Sequence, residues 1–172
     1  MLIISMEDQF PFSEMPPDEG LWDVGAILSP YQPTLDENLV AMLAKIGLGI
    51  EDVLIDLGSG DGRVLLHAAF LQCRLAIGYE LNEQLLTKSR SEVSELGLEN
   101  SIKIFAKDLL EADISEVTVV YMYLLPEAIQ KLRGLLDEAF NQKTKVIVSH
   151  HFPIPWLVGE NFMNYYIYYK PN

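Results

Sequence analysis

An acid and closely spaced glycines follow one another at the end of a short apolar segment. Asp56 lies inside the segment 53–57, and Gly58, Ser59 and Gly60 come directly after it. Glycines at alternate positions let a ligand approach the backbone, because no Cβ atom stands in the way. An acid beside such a turn can bind an ammonium or a hydroxyl group. The pattern therefore predicts a nucleotide-like ligand that rests on bare backbone.

The spacing of the glycines distinguishes this turn from one that binds a dinucleotide. A dinucleotide-binding turn reads G-x-G-x-x-G and places the pyrophosphate at the N-terminus of the following helix. Here Gly62 comes one position early, and Asp61 is expected in the first turn of that helix, where a carboxylate repels a phosphate. A ligand with a nucleoside and a cation but no phosphate is favoured, and S-adenosylmethionine has that composition.

Two further acids are expected at the ends of the next two strands. Glu80 ends the segment 75–80 and follows Asp56 at about the spacing, roughly 20 residues, of an acid that binds ribose hydroxyls. Asp108 follows the third strand, where it can accept a hydrogen bond from an adenine amino group while Leu109 packs on the ring. Taken singly, Glu80 could instead cap the next helix, and Asp108 could be an ordinary turn residue.

Aromatic and histidine side chains are expected at the ends of the fourth and fifth strands. Tyr121 and Tyr123 end the segment 117–123, beside the expected reacting carbon, and His150 and His151 end the fifth strand. The two tyrosines are candidate catalytic residues as walls of an acceptor channel, and His150 is a candidate general base. The alternative for the tyrosines is a place in the core or at its rim, and for the histidines a structural role.

The pattern of apolar residues predicts the elements that position these side chains. The expected strands are 53–57, 75–80, 102–106, 117–123 and 145–149, and the expected helices are 35–46, 61–70, 83–96 and one that starts at Pro126. Strict alternation of strands and helices indicates an α/β fold, Rossmann-like and doubly wound, with a mostly parallel sheet. The tail is expected to form a hairpin of 154–158 and 162–169 around a turn at 159–161. No helix precedes its last strand, which should therefore be antiparallel.

Length, composition and charge limit the classes of protein. A chain of 172 residues, 49% hydrophobic and 22% charged, is expected to form one globular domain. Residues 1–33 are predicted to form an arm packed on a single domain, 34–172. The net charge of −13 argues against a nucleic-acid partner. It fits a basic protein partner or simply a soluble acidic protein.

Cysteine usage and the N-terminal segment argue against a disulfide-bonded, metal-binding, secreted or membrane protein. The single cysteine, Cys73, rules out an intramolecular disulfide, and no Cys/His spacing predicts a metal site. The apolar residues 1–5 have no basic region before them and are followed by Glu7 and Asp8, so neither a signal peptide nor a membrane span is expected. A cytoplasmic protein without a membrane partner is predicted, and the oligomeric state is left open.

Several motifs between Pro30 and Tyr169 together resemble those of class I S-adenosylmethionine-dependent methyltransferases. Within that class, the chain more specifically resembles the small archaeal protein-lysine methyltransferases and their mitochondrial relatives. The mitochondrial enzymes modify the adenine nucleotide translocase and the c subunit of ATP synthase. The motifs are Pro30-Tyr31-Gln32-Pro33-Thr34, Asp56-Leu57-Gly58-Ser59-Gly60-Asp61-Gly62-Arg63, Gly78-Tyr79-Glu80-Leu81-Asn82, Val119-Val120-Tyr121-Met122-Tyr123-Leu124-Leu125 and Ser149-His150-His151-Phe152. The glycine motif is common to class I enzymes, whereas the first and last motifs are typical of a much smaller group of enzymes.

The resemblance implies residues and a reaction beyond those argued from spacing. It implies that Leu81 and Tyr121 join the donor site and that Tyr31 and Thr34 close over the donor, with S-adenosyl-L-homocysteine as the product. The mitochondrial members carry a membrane segment that is not expected here. The segment between Trp156 and Phe162 is shorter than in the archaeal enzymes, which should shorten the terminal hairpin.

A protein-lysine N-methyltransferase is the leading hypothesis. Transfer requires a neutral amine, and an unperturbed lysine pKa near 10.4 makes neutralisation at pH 7 cost roughly 4.6 kcal/mol. The alternatives are a methyltransferase of a small molecule or nucleic acid, and a cofactor-binding domain without catalysis. Enzymes that act on nucleobase amino groups often carry a [DNS]-P-P-[YFW] loop after the fourth strand. The segment Met122-Tyr123-Leu124-Leu125-Pro126 lacks that polar clamp, which argues against a nucleobase and leaves small molecules open.

Overall fold

The computed structural model describes residues 36–171, which form a sheet of seven strands with helices on both faces. The strands are β1 (Val53–Leu57), β2 (Leu75–Glu80), β3 (Ile102–Ala106), β4 (Val119–Met122), β5 (Val146–His150), β6 (Glu160–Phe162) and β7 (Tyr165–Tyr169). The helices are α1 (Asp36–Lys45), α2 (Arg63–Phe70), α3 (Glu83–Glu95), α4 (Pro126–Lys131) and α5 (Arg133–Ala139). The predicted arm, with Tyr31 and Thr34, lies outside the described residues.

The strand order is β3-β2-β1-β4-β5-β7-β6. Strands β1 to β5 pair in parallel, whereas β7 pairs antiparallel with both β5 and β6. The predicted Rossmann-like fold with an antiparallel C-terminal hairpin is therefore confirmed. The order reverses between β1 and β4, and ligands of such sheets bind beyond the carboxyl ends of the strands at this point.

Alternate residues of each strand face two separate apolar layers. Leu54 and Tyr121 belong to the layer under α1, α2 and α3, whereas Ile55 and Val120 belong to the layer under α4 and α5. Both layers are formed by buried side chains, so the central strands are covered on each side. This burial holds the carboxyl ends of β1, β4 and β5 in a fixed relation.

Two predicted helices differ from those observed. The helix expected at 61–70 begins only at Arg63, because its N-cap residue Gly62 has a φ of 83°, in the left-handed region. Asp61 therefore precedes the helix and does not lie in its first turn, so that prediction was wrong. The helix expected after Pro126 is divided into α4 and α5 at Leu132, whose ψ of 0° departs from helical values. Gly134, a poor helix former, follows this break.

The C-terminal hairpin uses other residues than predicted. Residues 154–158 form no strand, since Pro153 and Pro155 lack the N–H groups that a sheet requires. The first strand is instead Glu160–Phe162, and the chain turns at Met163, which has a φ of 57°. The expected turn at 159–161 was therefore wrong, whereas the antiparallel entry of the last strand is confirmed.

Neither a membrane span nor a metal cluster is found in the described part of the chain. Among residues 36–171, no helix is long and apolar enough to cross a bilayer. The same residues contain no group of three or more His, Cys, Asp or Glu side chains placed to hold a metal ion.

Candidate active site

The glycine turn after β1 is tied to the neighbouring strand by its own backbone. The N–H groups of Gly58 and Ser59 both donate to the carbonyl oxygen of Tyr79 in β2, each at 3.0 Å. Gly58 has a φ of 88°, and a Cβ atom there would lie 3.2 Å from Leu124 Cδ2. A side chain at this position would be both strained and crowded. Position 58 therefore requires glycine for the turn to take this form.

Glu80 joins the glycine turn to the start of α3. Its Oε2 accepts a hydrogen bond from the Gly60 N–H at 2.9 Å, and its Oε1 accepts from Leu81 at 2.9 Å and from Asn82 at 2.8 Å. Asn82 then caps the helix by accepting from Gln84 and Leu85 through its side chain. The Glu80 carboxylate is partly exposed and offers about four lone-pair sites. Its binding to ribose hydroxyls stays a prediction.

Asp56 and Ser59 carry buried polar atoms that need a ligand. Asp56 is 2% exposed, and its Oδ1 has no hydrogen-bond partner among residues 36–171, nor has the Ser59 hydroxyl. Burial, together with the carboxylates of Glu80 and Asp61, raises the pKa of Asp56 well above its ordinary value. An ammonium group would satisfy the carboxylate and favour its charged form. The site thus fits the amino-acid part of the predicted donor.

Asp61 has a different role from the one predicted. Its carboxylate is buried and accepts from Arg63 Nη2 at 2.8 Å and from Lys88 Nζ at 3.1 Å. The ion pairs with Arg63 and Lys88 offset part of the negative charge of Asp61 near the helix terminus. Glu80, whose carboxylate binds the glycine turn directly, is the better source of negative charge there.

The segment after β3 brings an apolar side chain onto the same turn. Leu109 is buried, and its Cδ2 lies 4.0 Å from the place where a Cβ of Gly58 would stand. Asp108 caps the short 3-10 helix Leu109–Glu111 by accepting from the Leu110 N–H at 2.9 Å. The structure thus bears out the turn role considered for Asp108. The roles of Leu109 and Asp108 toward adenine stay predictions.

Four aromatic residues form a cluster at the ends of β4, β5 and β7, here called the aromatic cluster: Tyr121, Tyr123, His150 and Tyr165. Tyr121 Oη lies 3.3 Å from His150 Nδ1. The His150 ring lies between two tyrosines, with its centroid 4.2 Å from that of Tyr123 and 4.4 Å from that of Tyr165. The sequence-predicted catalytic residues are therefore brought together in one place.

Strand register puts the aromatic cluster beside the glycine turn. Tyr121 of β4 pairs with Asp56 of β1, and His150 of β5 pairs with Tyr165 of β7. Tyr165 was not predicted as a site residue, because the prediction used only the last residues of the parallel strands. An antiparallel strand begins at the edge of the sheet where the parallel strands end. The first residue of the predicted last strand could therefore have been identified as a further candidate at this edge.

The electrostatics of the aromatic cluster limit what His150 can do. His150 is 8% exposed, and burial, with a smaller effect of His151, lowers its pKa to about 4. The imidazole is therefore neutral at pH 7. A base with this pKa is poorly matched to proton transfer near neutral pH. Its contact with the Tyr121 hydroxyl points to a positioning role.

The fold and the site together define a class I, Rossmann-like methyltransferase. The defining features are the strand order, the glycine turn after β1 and the acid at the end of β2. The sequence profile called ANTKMT methyltransferase domain matches residues 56–160, and the chain belongs to that family. The resemblance predicted from the motifs is confirmed.

Similar proteins include an archaeal enzyme and mammalian enzymes. A protein-lysine N-methyltransferase from Saccharolobus islandicus is 33% identical over 126 residues, covering 73% of this chain and 78% of that protein. The adenine nucleotide translocase lysine N-methyltransferase of Mus musculus is 34% identical, covering 72% of this chain but 54% of that protein. A Homo sapiens protein named as a lysine N-methyltransferase of the ATP synthase c subunit is also 34% identical, covering 69% of this chain and 48% of that protein. The chain thus spans about half the length of the mammalian relatives.

One similar solved structure is of a protein named for a different substrate, RNA. It is an RNA methyltransferase from Salinibacter ruber in complex with S-adenosyl-L-homocysteine. It is 35% identical and superposes with a TM-score of 0.73, covering 81% of this chain and 94% of that one.

Proposed function

We propose that this chain is an S-adenosylmethionine-dependent protein-lysine N-methyltransferase that transfers a methyl group in line to a neutral lysine amine. The observation that carries the proposal is the pairing of Asp56 with Tyr121, which sets the donor site next to a buried aromatic cluster. The archaeal and mammalian relatives named as lysine methyltransferases support lysine as the acceptor.

The cofactor predicted from the sequence is confirmed by the methyltransferase family and by the S-adenosyl-L-homocysteine bound in the Salinibacter ruber structure. S-adenosylmethionine supplies an electrophilic methyl group. We propose that Asp56 and the turn Gly58, Ser59 and Gly60 hold its amino-acid part. For its nucleoside we propose Glu80, Asp108 and Leu109. We also place Leu81 and Tyr121 in the donor site, with Tyr31 and Thr34 closing over it.

The aromatic cluster suits an amine that must lose its charge. Tyr121 and His150 are both buried, and Tyr123 is partly so. A lysine amine that enters such surroundings loses water, which lowers its pKa and favours the neutral form. Positioning of this amine against the methyl group then provides much of the rate. We assign Tyr121 and Tyr123 to the walls of the channel and His150 to the positioning of Tyr121.

A labelling experiment tests the acceptor. The protein is incubated with tritiated S-adenosylmethionine and a protein extract, and the proteins are hydrolysed so that methylated lysines can be separated. We expect label in lysine, and we expect the Glu80→Gln variant to lose most of it at a limiting donor concentration. Label found only in RNA or in small molecules would contradict the lysine assignment.

RNA is a second candidate acceptor, since the Salinibacter ruber protein is named an RNA methyltransferase. The net charge of −13 disfavours it, because binding to a phosphate backbone draws on clusters of Lys and Arg. The segment 122–126 also lacks the polar loop typical of enzymes that act on nucleobase amino groups. Digestion of the labelled extract with ribonuclease or with protease separates the two acceptors.

Further properties of the protein and of its substrate are also proposed. The acidic net charge suggests a basic protein substrate. We also propose that residues 1–33 form an arm packed on a single domain, 34–172, and that the protein is cytoplasmic. A small-molecule acceptor or binding without turnover would appear in the labelling experiment as label in small molecules only or as no label.

A further inference from the structure

We propose that the hydroxyl of Tyr165 binds the acceptor amine. This inference rests on the proposed lysine methyltransferase function and adds a residue to its acceptor pocket. Three observations carry it: an unsatisfied buried hydroxyl, its position at the active edge of the sheet, and its chemical state.

The Tyr165 hydroxyl is a buried polar group that lacks a partner. The side chain is 0% exposed, and within the described part of the chain its Oη has no hydrogen-bond partner. A buried hydroxyl left unpaired destabilises a protein, so it calls for an explanation. Tyr168 of the same strand provides a contrast, since its Oη accepts a hydrogen bond from the Ile154 N–H at 2.7 Å. Burial in β7 therefore does not by itself leave a tyrosine hydroxyl unpaired; among residues 36–171, Tyr165 Oη shares this state with Asp56 Oδ1, Ser59 Oγ and Trp156 Nε1.

Strand direction places Tyr165 at the catalytic edge. It is the first residue of β7 and pairs with His150, the last residue of β5. Its ring stacks on His150 at a centroid distance of 4.4 Å and lies 6.4 Å from the ring of Tyr121. Tyr121 in turn pairs with Asp56. A substrate that reaches the aromatic cluster from this edge therefore arrives beside Tyr165.

A protonated phenol suits a neutral amine. Burial and the nearby Tyr123 raise the pKa of Tyr165, so its hydroxyl keeps its proton at neutral pH. A phenolate would favour the ammonium form of lysine, which cannot accept a methyl group. The oxygen of a neutral hydroxyl can accept a hydrogen bond from an amine N–H. Such a bond leaves the lone pair of the amine nitrogen available for transfer.

The Tyr165→Phe variant tests this role, because it removes the hydroxyl and keeps the ring. In the extract-labelling assay, we expect tritium incorporation into lysine to fall about tenfold. We expect the affinity for S-adenosyl-L-homocysteine, measured by calorimetry, to stay unchanged. We also expect the share of di- and trimethyllysine among the products to rise, because the methylated amine is no longer held in one orientation. This share does not depend on the folded fraction of the variant.

Tyr166→Phe is the matched control. Tyr166 is the next residue of β7, half-buried on the opposite face of the sheet, and the change is the same. We expect it to label lysine at the rate of the unchanged protein. If the unchanged protein labels lysine and Tyr165→Phe matches it in both rate and product ratio, this inference alone is overturned. If the unchanged protein labels no lysine, the proposed function fails, and this inference fails with it.

Discussion

The backbone N–H of Gly60 donates a 2.9 Å hydrogen bond to the carboxylate of Glu80. This bond joins the turn after β1 to the end of β2, so the acid predicted to bind the donor also shapes the turn proposed to hold the donor. A change at Glu80 is therefore expected to affect both the proposed contacts of its carboxylate with the donor and the backbone of the glycine turn.

The first prediction concerns Glu80→Gln. Both oxygens of Glu80 accept backbone hydrogen bonds, whereas a glutamine has a single acceptor oxygen. We expect the affinity for S-adenosyl-L-homocysteine to fall about tenfold or more, because hydrogen bonds to a charged group are worth roughly 1.5–3 kcal/mol. Glu83→Gln, an exposed acid in the first turn of α3, is the control and should bind normally. Equal calorimetric affinities for both variants would disprove the role of Glu80.

The second prediction concerns Asp56→Asn. The folded-state pKa of Asp56 is raised, so its contribution to stability is present below the unfolded-state pKa and is lost as the pH rises through the folded-state value. At pH 7 the ligand-free protein therefore carries an unfavourable buried carboxyl, and the neutral amide should raise the melting temperature. Donor affinity should fall about tenfold or more, because a charge-assisted hydrogen bond to the ammonium is lost. A lower melting temperature together with normal calorimetric affinity would contradict both expectations.

The third prediction concerns stability in acid. The pKa of His150 is lowered to about 4, below its ordinary value of 6.5, so the unfolded chain binds a proton that the folded protein does not. As the pH falls from 6.5 to 4, this histidine should reduce stability by up to about 3 kcal/mol, at about 1.4 kcal/mol per pKa unit. His150→Asn should flatten this part of the curve of unfolding free energy against pH.

The control for the acid experiment is His151→Asn. His151 is exposed, and its φ of 69° suits asparagine, which adopts the left-handed region readily. The groups in contact with His150 include Tyr121, Tyr123 and Tyr165, and tyrosines do not titrate in this pH range. If His150→Asn retains the full slope between pH 6.5 and 4, the assignment of that slope to His150 is wrong.

The fourth prediction compares two glycines. A Cβ atom at Gly78 in β2 would lie 2.6 Å from Ser59 Oγ and 2.7 Å from Leu65 Cδ1. Gly78→Ala should therefore lower the free energy of unfolding by about 1–3 kcal/mol, since both neighbours are buried. At Gly134 in α5 nothing lies within 4 Å, so Gly134→Ala should stabilise the protein by about 0.5–1 kcal/mol. Urea unfolding curves measure both changes, and a stabilised Gly78→Ala variant would contradict the packing argument.

Local sequence patterns predicted those elements whose signals lie within a few residues. The strand Val53–Leu57 is an apolar run with one acid, Asp56, that leads into glycines, and the helix expected at 83–96 matches α3. Patterns failed where distant contacts or backbone angles decided the outcome. The start of α2 at Arg63 follows from the left-handed φ of Gly62, and the turn at Met163 from pairing with β7.

The sequence by itself determined the α/β class, and it predicted Asp56, Gly58 and Glu80 as donor-site residues, because a strand, a turn and a helix start follow one another in the chain. The tertiary structure decided what surrounds them. It alone showed that Asp61 pairs with Lys88 and that Tyr165 stands against His150. Such contacts join residues far apart in the chain, and they depend on strand order, register and burial, which no local pattern encodes.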